Sequence, residues 1–109
     1  MSGLHVTVDP ADFGIDAHRL SRIDDVFNGY VERRQLAGWL ATVSRSGELV
    51  YAGKGGHADR EADKPMTDDT IFRIYSMTKP ITSIAAMMLY EEGKFDLNDP
   101  AGKIGRAHV

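Results

Sequence analysis

Between residues 16 and 34, apolar side chains recur at helical spacing. Leu20, Ile23, Phe27, Tyr30 and Val31 make one stripe, and Asp24, Asp25, Glu32 and Arg33 lie mostly off it. Asp16 can cap this helix, which reads as a packing element. Residues 1–15 read as irregular, with Asp9-Pro10 as a turn signal. The period changes to two over residues 39–44, where Trp39, Ala41 and Val43 alternate with Leu40, Thr42 and Ser44. Ser46-Gly47 is a turn signal, and residues 49–52 read as a return strand. Together they predict a β-hairpin. Residues 53–69, GKGGHADREADKPMTDD, read as a solvated surface loop. They lack the Gly-x-x-x-x-Gly-Lys-Ser/Thr spacing of a phosphate loop, and no helix follows directly. Residues 70–75 are a short apolar segment. A second helix is expected over 76–92, with Gly93 just past its end and Ile81, Ile84, Ala85, Met88 and Leu89 as its buried stripe. Residues 95–100 read as a turn-rich exit. Two strands do not make a stable sheet, and the pattern predicts no others.

Composition narrows the function classes. The chain has 109 residues, enough for one small domain, and 42% are hydrophobic, enough for a core. The net charge of -3 gives no basic excess for a nucleic-acid partner. The absence of cysteine excludes a disulfide scaffold, a thiolate zinc site and a cysteine nucleophile. His5, His18, His57 and His108 show no metal-ligand spacing, so no metal or cofactor is expected. The start MSGLHVTVDP lacks the basic and apolar regions of a secretory signal. No apolar run approaches the roughly 20 residues of a membrane span. The expected location is cytoplasmic, with no membrane partner; oligomeric state is not legible.

One constellation carries chemistry: Ser76-Met77-Thr78-Lys79 at a helix start. A serine hydroxyl needs a base to become a nucleophile. Residues three apart on a helix share a face, which sets the Lys79 amine beside the Ser76 hydroxyl. A neutral amine could take the serine proton. The Ser76 N–H, at a helix N-terminus, could form half of an oxyanion hole. On the tetrapeptide alone, a capping serine and a solvated lysine would look the same. Pro80 lacks an N–H and restrains Lys79. The helix is therefore expected to begin no earlier than Tyr75 or Ser76, and its first turn can be distorted toward 3-10 geometry.

The surrounding run changes the weight of the motif. IFRIYSMTKPITSIAAMMLYEEGKFDLNDP resembles the active-site serine segment of the β-lactamase-like serine hydrolases. That superfamily includes class C β-lactamases, penicillin-binding DD-peptidases and related esterases. Ser-Met-Thr-Lys-Pro, followed by an apolar helix and Glu-Glu-Gly-Lys, looks most like the esterase-type and β-lactamase-related members. The likeness covers roughly residues 12–101, with the 16–34 helix, Gly38-Trp39, the hairpin, and the glycine-rich stretch before Phe72-Arg73 as its lead-in. It implies an α/β (α+β) fold, an antiparallel sheet flanked by helices, beside an all-helical domain. It implies that Ser76 is the acylated nucleophile and Lys79 its general base, with Phe72 and Arg73 supporting the site. The substrate implied is a small ester, β-lactam or related amide, with an ester favoured. A binding or regulatory relative that keeps the fold without catalysis is the alternative.

The family also uses a Tyr-x-Asn or Ser-x-Asn motif and a later Lys-Thr-Gly or His/Trp-x-Gly strand. Neither occurs here, and Tyr30, Tyr51, Tyr75 and Tyr90 lack the asparagine two residues on. The chain is therefore expected to be the N-terminal part of such a domain over 1–103, poorly folded and inactive by itself. Residues 104–109, Ile-Gly-Arg-Ala-His-Val, match the translation of ATC GGA AGA GCA CAC GTC, which resembles a short-read sequencing adapter. They are expected to be a non-native tail. Long-read sequencing past the codon for Gly102 should find an open frame running on through both missing motifs. A stop after Val109 would refute the tail and the catalytic reading of this chain, leaving Ser76 and Lys79 as remnants in a truncated product.

Overall fold

A computed structural model describes residues 3–104, and the chain divides into two units, Met1–Ile71 and Phe72–Val109. In the first unit, aspartates start both leading turns. The Asp9 carboxylate accepts from the Ala11 N–H at 3.0 Å and opens a 3-10 turn over Pro10–Phe13, inside the stretch expected to be irregular. The Asp16 carboxylate accepts from the His18 N–H at 2.8 Å and the Arg19 N–H at 3.3 Å. It caps α1, Ala17–Glu32, as expected. Such a cap stabilises a helix by about 1 kcal/mol. At the other end Arg34 takes a left-handed φ of 59°, and the Gln35 N–H reaches the Tyr30 carbonyl at 2.9 Å. This is a Schellman stop made without glycine.

The hairpin forms where the alternation placed it. Strand β1 is Gly38–Arg45 and strand β2 is Glu48–Asp59, antiparallel. Ser46 and Gly47 both have positive φ, 53° and 79°, the type I′ geometry that suits a two-residue hairpin. The register skips Val50, because Val43 opposes Tyr51 while Ser44 opposes Leu49. Val50 is the extra residue of a bulge and is the most buried side chain of the core.

The glycine-rich stretch departs from the loop reading. Residues 53–59 continue β2, with Gly53, Gly55 and Gly56 opposite Ala41, Trp39 and Gly38. Gly53 and Gly55 lie on the face that carries Tyr51 and Trp39. A Cβ on Gly55 would come within 2.6 Å of the Trp39 Nε1 and would also strike the Asn28 amide oxygen. A Cβ on Gly53 would collide with the Tyr51 hydroxyl. The missing side chains are the condition for this strand, not a sign of a loop. A third strand, β3, Lys64–Pro65, then pairs with β2 at Asp59 and His57. The sheet order is β1-β2-β3, so the expectation of only two strands is corrected. Proline is tolerated there because β3 is an edge. His57, expected in the loop, sits in β2 with its Nε2 3.2 Å from Asp63.

Helix α1 is held on the sheet by directional contacts. Phe27 stacks on Trp39 with centroids 5.2 Å apart, and the Trp39 indole N–H donates to Asn28 at 3.0 Å. The Tyr51 hydroxyl donates to Asp24 at 2.7 Å, so Asp24 faces the sheet rather than solvent. The Arg60 guanidinium donates to the Leu36 carbonyl at 2.8 Å, just past the end of α1. Asp68 accepts from Lys54 at 2.7 Å and from the Leu4 N–H at 3.0 Å. These donors hold its carboxyl below the usual carboxylate range.

The unit predicts its own alkaline limit. Burial, and then the Asp24 carboxylate that its hydroxyl bonds, push the Tyr51 phenol above its ordinary value. A raised phenol stabilises the fold at pH values below its unfolded value of about 10 and loses that contribution as pH rises past it. Urea midpoints of the whole protein should therefore fall above about pH 10, and Tyr51→Phe should flatten that fall. At neutral pH the same substitution should cost about 1–2 kcal/mol. An unchanged alkaline slope in Tyr51→Phe would show that another group controls it.

Candidate active site

The second unit builds its site from an abrupt turn. Residues 72–74 run without regular structure, Ile74 has φ -93° and ψ -1°, and Tyr75 swings to a φ of 46°. A 3-10 turn over Tyr75–Met77 follows, with the Met77 N–H donating to the Ile74 carbonyl at 3.0 Å. Helix α2, Thr78–Glu91, then continues it. The helix thus begins where the serine motif and Pro80 required, with the distorted first turn. Pro80 is the third residue of α2, where a backbone N–H has no partner within the helix anyway.

Ser76 lies in the middle of the 3-10 turn and Lys79 is the second residue of α2. The path is one continuous right-handed coil, so the three-residue spacing places both on successive turns of it. Both residues are exposed. Among the described residues, no hydrogen bond joins the two side chains and no carboxylate pairs with the Lys79 ammonium. The structure thus supplies the backbone adjacency and not the engaged pair that the spacing implied. Phe72 and Arg73 precede Ser76 in the irregular segment and are exposed too. Sequence reasoning missed the left-handed Tyr75, because a tyrosine carries no signal for that conformation.

Helix α2 ends at a glycine, as expected. Gly93 has φ 72°, and the Lys94 N–H reaches the Leu89 carbonyl at 3.0 Å. The expected buried stripe is open instead. No residue of α2 is buried, and Ile81, Ile84 and Met88 are each at least 60% exposed. Beyond it, Asp96 and Asp99 bind each other's backbone in a turn, and a short helix α3, Ala101–Ile104, follows with Lys103 3.6 Å from Asp99. The sequence expectation for the tail falls on residues 105–109 except for Ile104, and those residues lie outside the described ones. Among the described residues, no three His, Asp or Glu side chains group as a metal site, and no helix is long and apolar enough to cross a membrane.

Comparison with known proteins agrees on one lineage. The family model described as Beta-lactamase matches residues 23–108. Esterase EstB of Burkholderia gladioli is 43% identical over 95 residues, 86% of this chain and 24% of that protein. The serine beta-lactamase-like protein LACTB, mitochondrial, of Mus musculus is 30% identical over 96 residues, 88% of this chain and 17% of that protein. Among solved structures, EstCE1, a hydrolase with promiscuous acyltransferase activity, aligns with a TM-score of 0.71 and 33% identity. That alignment covers 77% of this chain and 22% of the other. The chain thus spans no more than a quarter of the length of these relatives.

Proposed function

This chain belongs to the beta-lactamase family, and from that premise we propose that the whole protein is a serine hydrolase acting on small carboxylic esters through an acyl-enzyme. The observation that carries the reading is Ser76 and Lys79, on one coil at the mouth of α2, inside the segment that is similar to an esterase. The preference for esters over β-lactams or amides rests on the likeness to Esterase EstB, and the likeness to EstCE1, a hydrolase with promiscuous acyltransferase activity, fits an acyl-enzyme.

The chemistry follows from the groups. The Ser76 oxygen attacks the ester carbonyl carbon while the Lys79 amine takes the hydroxyl proton. The carbonyl oxygen becomes an oxyanion, and the Ser76 N–H is one donor to it. As the tetrahedral centre collapses, the alkoxide leaves with the proton from Lys79, and Ser76 is acylated. Water then attacks the acyl carbon and gives a proton to Lys79; as that tetrahedral centre collapses, Lys79 returns the proton to the Ser76 oxygen, and the carboxylic acid leaves the free serine. An amine accepts a proton only when neutral, a state that burial or a neighbouring cation favours. Residues 1–103 are proposed to form the start of the hydrolase domain.

Ser76→Ala in the whole protein should abolish hydrolysis of p-nitrophenyl butyrate and covalent labelling by a fluorophosphonate. Lys79→Ala should lower kcat by roughly a hundredfold or more, as expected for loss of a general base. Mass spectrometry should find the label on Ser76. A protein that binds ligand equally well with and without Ser76, and takes no label, would be the non-catalytic relative instead.

A further inference from the structure

The residue just before Ser76 is held in a conformation that ordinary L-residues avoid. Tyr75 has φ 46°, in the left-handed region, where a Cβ crowds the backbone. Its side chain is 81% exposed, so packing of the ring does not account for the backbone. The conformation is local: the Ile74 carbonyl accepts from the Met77 N–H at 3.0 Å, across Tyr75 and Ser76. The Tyr75 carbonyl accepts from the Thr78 N–H. The Tyr75–Ser76 peptide is therefore aligned with the start of the helix, while the incoming chain turns off the axis in a single residue. In the right-handed region, Tyr75 would swing residues 72–74 toward that axis and rotate the peptide whose N–H belongs to Ser76.

We propose that Tyr75 is a positioning residue for acyl transfer at Ser76, through its left-handed backbone rather than its phenol. This rests on Ser76 being the nucleophile. The backbone at Tyr75 keeps the Ser76 N–H clear of the upstream chain and turned toward the space an oxyanion would occupy. Strain of this kind persists where the surrounding structure over-determines it, and it clusters at reacting centres. Misplacing an oxyanion donor or nucleophile by about 1 Å is enough to slow a reaction roughly a hundredfold.

The test is a substitution series at one position in the whole protein, read by kcat and KM for p-nitrophenyl butyrate and by fluorophosphonate labelling. Tyr75→Phe removes the hydroxyl, Tyr75→Gly and Tyr75→Asn accept a positive φ, and Tyr75→Ile resists it. Tyr75→Phe, Tyr75→Gly and Tyr75→Asn should keep kcat within about threefold of the parent, while Tyr75→Ile lowers kcat and labelling about tenfold to a hundredfold at similar KM. If Tyr75→Ile does not fold, Tyr75→Ala takes its place and should fall below Tyr75→Gly. Equal kcat in Tyr75→Gly and the resisting variant would overturn the proposal. So would a loss in Tyr75→Phe, which would assign the role to the phenol. Failure of the parent to take label at all would instead remove Ser76 as nucleophile, and Tyr75 with it.

Discussion

The first unit depends on Trp39 lying across Gly55. Only Trp39, Val50 and Met66 are buried among the described apolar residues, so area alone does little to fix the arrangement. The indole does more. It stacks on Phe27 and donates to Asn28, while Tyr51, two residues before Gly53, donates to Asp24. Asp24 and Asn28 are four apart on α1 and therefore share a face. Two directional bonds and one aromatic stack hold the helix in a single register on the sheet. An aromatic pair contributes about 0.5–1.5 kcal/mol beyond its buried area, comparable to a hydrogen bond. All three contacts need the space that a Cβ on Gly55 or Gly53 would fill. The glycines weaken the strand as an isolated element and make it possible as a partner.

That trade explains what was legible in the sequence. Asp16, the Ser46-Gly47 turn and Gly93 act within a few residues of themselves, and each stands where its chemistry predicts. The extension of β2 through residues 53–59 is a non-local fact. It depends on Gly53 and Gly55 meeting Tyr51 and Trp39, which no period along the chain encodes. The short strand β3 follows from the same cause, because Lys64 and Pro65 pair only with the extended part of β2. Asp24 is polar and falls off the apolar stripe by its spacing, yet the Tyr51 hydroxyl opposite turns it toward the sheet.

At the candidate site the division is similar. The Ser-x-x-Lys spacing and Pro80 determine where the helix starts, and the structure agrees with both. Spacing fixes the path of the backbone and leaves the engagement of side chains to their surroundings. An exposed lysine loses rotamer freedom worth about 2 kcal/mol if it is held to one partner, more than a single hydrogen bond returns in water. Ser76 and Lys79 are both exposed, and they are not joined. The apolar face of α2 is open in the same way, and its two ends are marked by local backbone geometry.

Those two ends use the same backbone conformation with opposite chemistry. At the C-terminal end, Gly93 enters the left-handed region at φ 72°, where the lack of a Cβ removes the steric cost and the Schellman bonds close the helix. At the N-terminal end, Tyr75 enters the same region at φ 46° with a full side chain, which costs of order 1 kcal/mol. If both positions were only punctuation, glycine would serve at each. A helix stop tolerates freedom, because the chain beyond it needs no exact bearing. The residue before the proposed nucleophile must still present the next peptide in one direction, which glycine at a positive φ would also allow. Tyrosine meets that requirement at a cost in stability, and the position where this occurs is one residue from Ser76.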